Sequence, residues 1–239
     1  MQIWPAIDLR GGKCVRLSQG DYDRETIYGD DPAQMARQFV AAGAQCLHLV
    51  DLDGAKAGTS ANLNAVRAIL AAVNVPCELG GGIRDETAIE RLLALGLTRL
   101  VIGTRALKEP DWFRAVAQQF PGKLALGIDA KNGRVATHGW LETSEVAAID
   151  LARELSSAPI AAIIYTDISR DGMLQGVNLP AMAEMKAAVN VPVIASGGVT
   201  TAKDVADLAH LGMDGCIIGR ALYEGTITLP EAISASHKR

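Results

Sequence analysis

The sequence lacks the marks of several protein classes. It has no run of Lys and Arg, and its 23 basic and 27 acidic residues leave a net charge of −4. A nucleic-acid or anionic-membrane surface therefore gains no support. No apolar run is as long as a membrane span. The opening stretch MQIWPAIDLRGGK has no basic segment followed by an apolar one, so no signal peptide is expected and the chain reads as cytoplasmic. Four cysteines, at 14, 46, 77 and 216, form no C-x-x-C pair, and four histidines, at 48, 138, 210 and 237, form no H-x-x-x-H pair. The usual zinc spacings are thus missing. Cys46, Cys77 and Cys216 lie in apolar runs and read as buried thiols of a reducing compartment. No Ser/Pro/Gly-rich linker divides the chain, so 1–239 is expected to form one domain. The helices offer no heptad seam, and the sequence leaves the oligomeric state open, a monomer included. An acidic chain of this kind binds an anion locally, with backbone amides and a few cations.

What is present is a repetition. Residues 71–103, AAVNVPCELGGGIRDETAIERLLALGLTRLVIG, align without a gap with 187–219, AAVNVPVIASGGVTTAKDVADLAHLGMDGCIIG, at 13 of 33 positions. Unrelated sequence would share two or three. The chain therefore contains two related halves, about 1–121 and 122–239. Each copy reads as strand, Gly-Gly loop, helix, strand, Gly. Asp85 and Thr201 are expected helix N-caps, with Asp204 completing a capping box. Gly96 and Gly212 stand where a helix ends. Strands are expected at 2–8, 45–51, 75–79, 99–103, 123–129, 160–166, 191–196 and 214–219, with helices between them. Eight alternations in this length predict an α/β fold, a single (β/α)8 TIM barrel made of two half-barrels. A doubly wound open sheet is the alternative, and it does not account for two equal halves.

In such a barrel the site lies at the C-terminal ends of the strands. Every expected strand ends in a glycine or polar residue: Asp8, Asp51, Gly80-Gly81-Gly82, Gly103-Thr104, Asp129, Thr166-Asp167, Ser196-Gly197-Gly198 and Gly219-Arg220. Glycines let backbone amides approach an anion. Loops 3 and 4 (Gly81, Gly82, Arg84, Gly103, Thr104) and loops 7 and 8 (Gly197, Gly198, Gly219, Arg220) thus form two expected phosphate sites on opposite sides of the mouth. Taken singly, such glycines make only tight turns; their duplication favours binding. Asp8 and Asp129 end the first strand of each half and form an expected acid–base pair midway between those sites. Asp51 reads either as a member of the site or as a structural residue ordering its loop, and Thr166 as its match in the second half, placed to touch substrate or hold Asp129. Loops 1, 5 and 6 are long and glycine-bearing, as lids are. Trp140 in loop 5 is expected either to stack on a flat heterocycle or to fold onto the surface, and Gly172 or Gly176 in loop 6 to approach the second phosphate.

Taken together, PAIDLRGGKCVRLSQGD, LGGGIR, GIDAKNGRVATHGW, TDISRDGMLQGVN, ASGGV and IIGRALYEG resemble the histidine-biosynthesis isomerases, the phosphoribosylformimino-aminoimidazole carboxamide ribotide isomerase family. The resemblance runs in order along essentially the whole chain. It implies an Amadori aldose–ketose rearrangement of a substrate with two phosphates, using neither cofactor nor metal. It also implies Asp8 as the base at the sugar C2 proton, Asp129 as the acid that opens the furanose ring, Thr166 as a supporting residue and Trp140 beside the aminoimidazole. Three rivals remain: the sister cyclase of the pathway, a dual-substrate isomerase that also takes phosphoribosyl anthranilate, and an inactive barrel that only binds a phosphometabolite. Asp8→Asn separates catalyst from binder. Turnover should vanish while ligand binding, which rests on the phosphate sites, persists; retained turnover would refute the base assignment.

Overall fold

A computed structural model of the chain describes residues 1–137, 140 and 142–237. Eight parallel strands form its frame: β1 Gln2–Arg10, β2 Leu47–Asp51, β3 Cys77–Gly80, β4 Arg99–Ile102, β5 Leu124–Lys131, β6 Ala162–Asp167, β7 Val193–Ser196 and β8 Gly215–Ile218. Strands such as β3, β7 and β8 are buried at every position. They have no solvent face, which is why they read as continuous apolar runs and not as alternations. Each strand pairs with the next, from β1 through β8. The ring closes where β8 returns to β1, with Gly215 opposite Gln2 and Ile218 opposite Pro5. The fold is a closed (β/α)8 barrel, as expected, and each strand lies within two residues of its predicted bounds.

The helices obey the local signals. Asp85 caps Glu86–Ala94 by accepting from the Ala88 amide at 2.7 Å. Thr201 and Asp204 form the expected capping box on Ala202–His210. Gly96 and Gly212 follow their helices with φ of 106° and 75°, the left-handed form that glycine adopts without strain. Ile89, Leu92, Val205 and Leu208 lie fully buried under these helices, in a core that fills the layer between helices and barrel wall. All four cysteines are free and buried. Among the described residues no helix is long and apolar enough to cross a membrane.

Two stretches depart from expectation. Loop 1 is an antiparallel ribbon, Lys13–Ser18 with Asp21–Gly29, and loop 5 holds another, Arg134–Thr137 with Glu142–Ala147. Neither Asp21–Gly29 nor Glu142–Ala147 has a buried position. A ribbon wet on both faces has no hydrophobic period to betray it. Within KNGRVATHGW, His138 and Gly139 lie outside the described residues.

The structure settles Asp51 and corrects its partner. Asp51 is wholly buried and accepts from the amides of Gly54, Ala61 and Asn62 and from Asn62 Nδ2, at 2.6–3.0 Å. Its match in the second half is Asp167, not Thr166. Asp167 accepts from Ser169 and from Asn178 Nδ2 at 2.6 Å, and Asn178 is the counterpart of Asn62. Thr166 stands opposite Asp129 in register, as Val50 stands opposite Asp8. We take this mirrored bonding as support for half-barrels at about 1–121 and 122–239. Asp51→Ala strands several buried donors at once. It should lower stability by about 3 kcal/mol, seen as a lower urea midpoint at unchanged slope; a loss under about 1 kcal/mol would show the network to be dispensable.

Candidate active site

The C-terminal ends of the strands enclose a cavity of about 580 Å³. Asp8, Asp129 and Thr166 line its middle, and Trp140 and Gly172 also face it. Gly81, Gly82, Arg84, Gly103 and Thr104 build one end, after β3 and β4. Gly197, Gly198, Gly219 and Arg220 build the other, after β7 and β8. Strand order places these two ends across the ring from each other.

The two ends repeat one geometry. Gly81 and Gly197 have φ of 102° and 88°, and a Cβ on them would lie 2.2 Å from the Asp51 carbonyl oxygen and 2.5 Å from that of Asp167. Only glycine fits both the dihedral and the space. Gly103 and Gly219 also match, with φ, ψ of −106°, −99° and −105°, −104°. The cations differ. Arg84 lies across Gly58, where a Cβ would meet its Cζ at 2.0 Å. Arg220 donates to the Gly172 carbonyl at 2.7 Å, tying loop 6 to its own end. Gly176 does not face the cavity; its carbonyl packs beneath Gly198.

The floor between the ends gathers carboxylates. Asp8 accepts from Arg16 Nη1 at 2.9 Å, and Arg16 also stands 3.9 Å from Asp171. Burial raises the pKa of Asp8, with Arg16 and then His48 opposing the rise. Asp129 accepts from the Trp140 indole at 2.8 Å and from the Thr166 hydroxyl. Burial raises its pKa too, against Trp140, Thr166 and His48 in turn. Burial pushes Asp171 up to about 6; Arg16 restrains it, and the charges of Asp8 and Asp129 add to the rise. Three acids in one enclosed space, differently partnered, are chemically able to divide the roles of acid and base.

Arg16, His48 and Asp171 line this floor and were not among the residues expected from sequence. Arg16 belongs to the ribbon read as a loop, where every second side chain of Lys13–Ser18 faces one way. His48 lies below a strand end, not at it. Asp171 sits in SRDG, a string noticed only for its glycine. Arg105 also lines the cavity beside Thr104, stacked 3.9 Å over Trp112 and paired with Glu109.

Trp140 lines the cavity and is not folded onto the outer surface. Its φ is 72°, and its ring lies on Gly20, where a Cβ would fall 2.4 Å from Cε3. The two ribbons, one from each half, thus meet over the mouth.

The closed barrel and the enclosed carboxylates define the class: a (β/α)8 barrel with an acid–base pocket at the C-terminal mouth. Residues 2–228 match the family described as histidine biosynthesis protein, and the chain belongs to that family. It is 54% identical over 98% of its length to a protein of Rhodopirellula baltica named 1-(5-phosphoribosyl)-5-((5-phosphoribosylamino)methylideneamino)imidazole-4-carboxamide isomerase, 93% of which is covered. Isomerases of the same name from Gloeothece citriformis (52% identical, covering 98% of this chain and 93% of that one) and Trichlorobacter lovleyi (49%, 100% and 98%) are also similar.

Gly20→Ala should expel the indole from its seat. The emission of Trp140, isolated by difference against Trp140→Phe, should shift to the red as the ring gains solvent. An unchanged spectrum would mean that Gly20 does not hold it.

Proposed function

We propose that this chain catalyses the reaction in its relatives' name: isomerisation of the imidazole carboxamide carrying two phosphoribosyl groups, in histidine biosynthesis. The observation that carries this is the position of Asp8 and Asp129, enclosed and midway between two like glycine-lined ends of one cavity. A ligand with a phosphate in each end spans the mouth and lays its linking sugar over the two acids. Arg84 and Arg105 serve one phosphate and Arg220 the other, beside the glycine amides.

The chemistry follows from the partners. Asp129, whose protonated form burial favours and which Thr166 holds, donates to the furanose ring oxygen. The bond from that oxygen to C1 breaks as the nitrogen lone pair forms C1=N. Asp8, ionised beside Arg16, removes the C2 proton, and those electrons become the C1=C2 bond of an enolamine. Transfer of the hydroxyl proton and reprotonation at C1 give the aminoketose. Proton and electron pair remain within substrate and side chains, so no cofactor is called for. Trp140 yields Asp129 to the ring oxygen and packs on the aminoimidazole. The proposed setting is the cytoplasm, with one chain acting on one free small molecule.

A second assignment of the acid has one observation in its favour. Burial pushes Asp171 up to about 6, and it lacks the two donors that engage Asp129, so it carries a proton to give closer to neutral pH. In that version Asp129 orients substrate. The sister cyclase is not favoured, since the similar proteins named above are isomerases.

Purified protein should convert the formimino-aminoimidazole ribotide, followed optically, and not phosphoribosyl anthranilate. Turnover of both would make it a dual-substrate enzyme, and turnover of neither would refute the proposal. If Asp171 is the acid, kcat falls as pH rises through about 6, and Asp171→Asn abolishes turnover. If Asp171→Asn keeps turnover and Asp129→Asn loses it, the acid is Asp129.

A further inference from the structure

One half of the barrel carries a row of charge that the other lacks. His48, Glu78 and Arg99 stand in register across β2, β3 and β4. Their counterparts, in register across β6, β7 and β8, are Ile164, Ile194 and Gly215. The charged row is bonded along its length. His48 Nδ1 lies 2.6 Å from one oxygen of Glu78, and Arg99 Nε donates to the other at 2.6 Å. Glu78 is wholly buried. Burial alone would raise its pKa, but His48 and Arg99 together hold it below the ordinary carboxylate range. Arg99 in turn stacks 4.6 Å over Trp4.

The fold does not need this row. The second half fills the same layer with two isoleucines and a glycine, and the barrel closes there equally well. An apolar filling is often as stable as a buried ion pair, or more so. The charge is also not placed at random. His48 lines the cavity. The charged groups facing it are Asp8 from β1, Arg16 from the first ribbon, Glu78 from β3, Arg99 from β4, Asp129 from β5 and Asp171 from the loop after β6. Among them His48 is the one side chain whose charge acts on all three aspartates.

We infer that Glu78 and Arg99 are positioning residues of the isomerisation: Glu78, anchored by Arg99, takes the Nδ1 hydrogen of His48 and fixes the ring beneath Asp8, Asp129 and Asp171. The ring, held in place by Glu78, then stands where it favours the ionised form of each of the three aspartates. The inference rests on the isomerase assignment above.

The test copies one half into the other. The triple variant His48→Ile, Glu78→Ile, Arg99→Gly reproduces the second-half row, and His48→Gln removes the imidazole alone. Both should fold, with urea midpoints at or above wild type for the triple variant and near it for His48→Gln. Both should lose kcat by on the order of tenfold or more, with KM changed far less. The acidic limb of the pH–kcat profile should move to higher pH in His48→Gln, because Asp8, left with Arg16 as its one remaining counter-charge, keeps its proton longer. Glu78→Gln should move it the same way by less. Folded variants with wild-type kcat and an unmoved limb overturn the inference, as does activity lost only in step with stability. Wild-type protein assayed alongside tests the isomerase assignment itself: absence of wild-type turnover defeats both, whereas wild-type turnover with unaffected variants defeats the row alone.

Discussion

Everything at the mouth depends on ring closure. Eight parallel strands joined edge to edge leave every C-terminal end pointing one way, so residues distant in sequence become neighbours without any loop being stretched. The pairing of β8 with β1 brings Gly219 within reach of Arg16, where a Cβ on the glycine would meet the guanidinium at 2.4 Å. The pairing of β5 with β6 sets Thr166 beside Asp129. An open sheet would separate the first acid from the seventh and eighth loops and split the cavity.

Closure also raises the pKa of each acid, because it removes water from both faces of the strand ends. The structure answers with unlike partners: a guanidinium for Asp8, an indole and a hydroxyl for Asp129, and a distant, shared guanidinium for Asp171. Division of labour among chemically identical side chains arises from those neighbours.

The frame was legible because the duplication doubled every weak signal. One Gly-Gly pair is a turn; two in the same frame, each followed by a capped helix, are an architecture. Asp8 and Asp129 were legible because they end apolar runs. Thr166 was placed one residue out of step: carried back along the chain, the offset of the repeat pairs Asp51 with Asp167, and the hydrogen bonds of Asn178 agree. The outer strands of the ribbons were illegible because they are exposed on both sides and have no period; without them the buried run Cys14–Leu17 had no visible partner, and Arg16 was lost with it. His48, Glu78 and Arg99 were illegible for another reason. Their chemistry is interior and follows from register across three strands, which no single segment displays. The one local clue was Glu78, a charge in a strand otherwise apolar.

The contact between Trp140 and Asp129 has a kinetic meaning. The acid is satisfied before any ligand arrives, so the empty site holds no bare carboxylate in a dry pocket. A ligand oxygen that takes its proton exchanges one hydrogen bond for another, and little enthalpy separates the two arrangements. Trp140 holds a backbone angle worth about 1 kcal/mol of strain, and its release tilts that exchange toward the ligand. On the proposed mechanism the indole is a placeholder on Asp129, and because the same ring lies on Gly20, the contact between the two halves of the chain is tied to the state of that one carboxyl group.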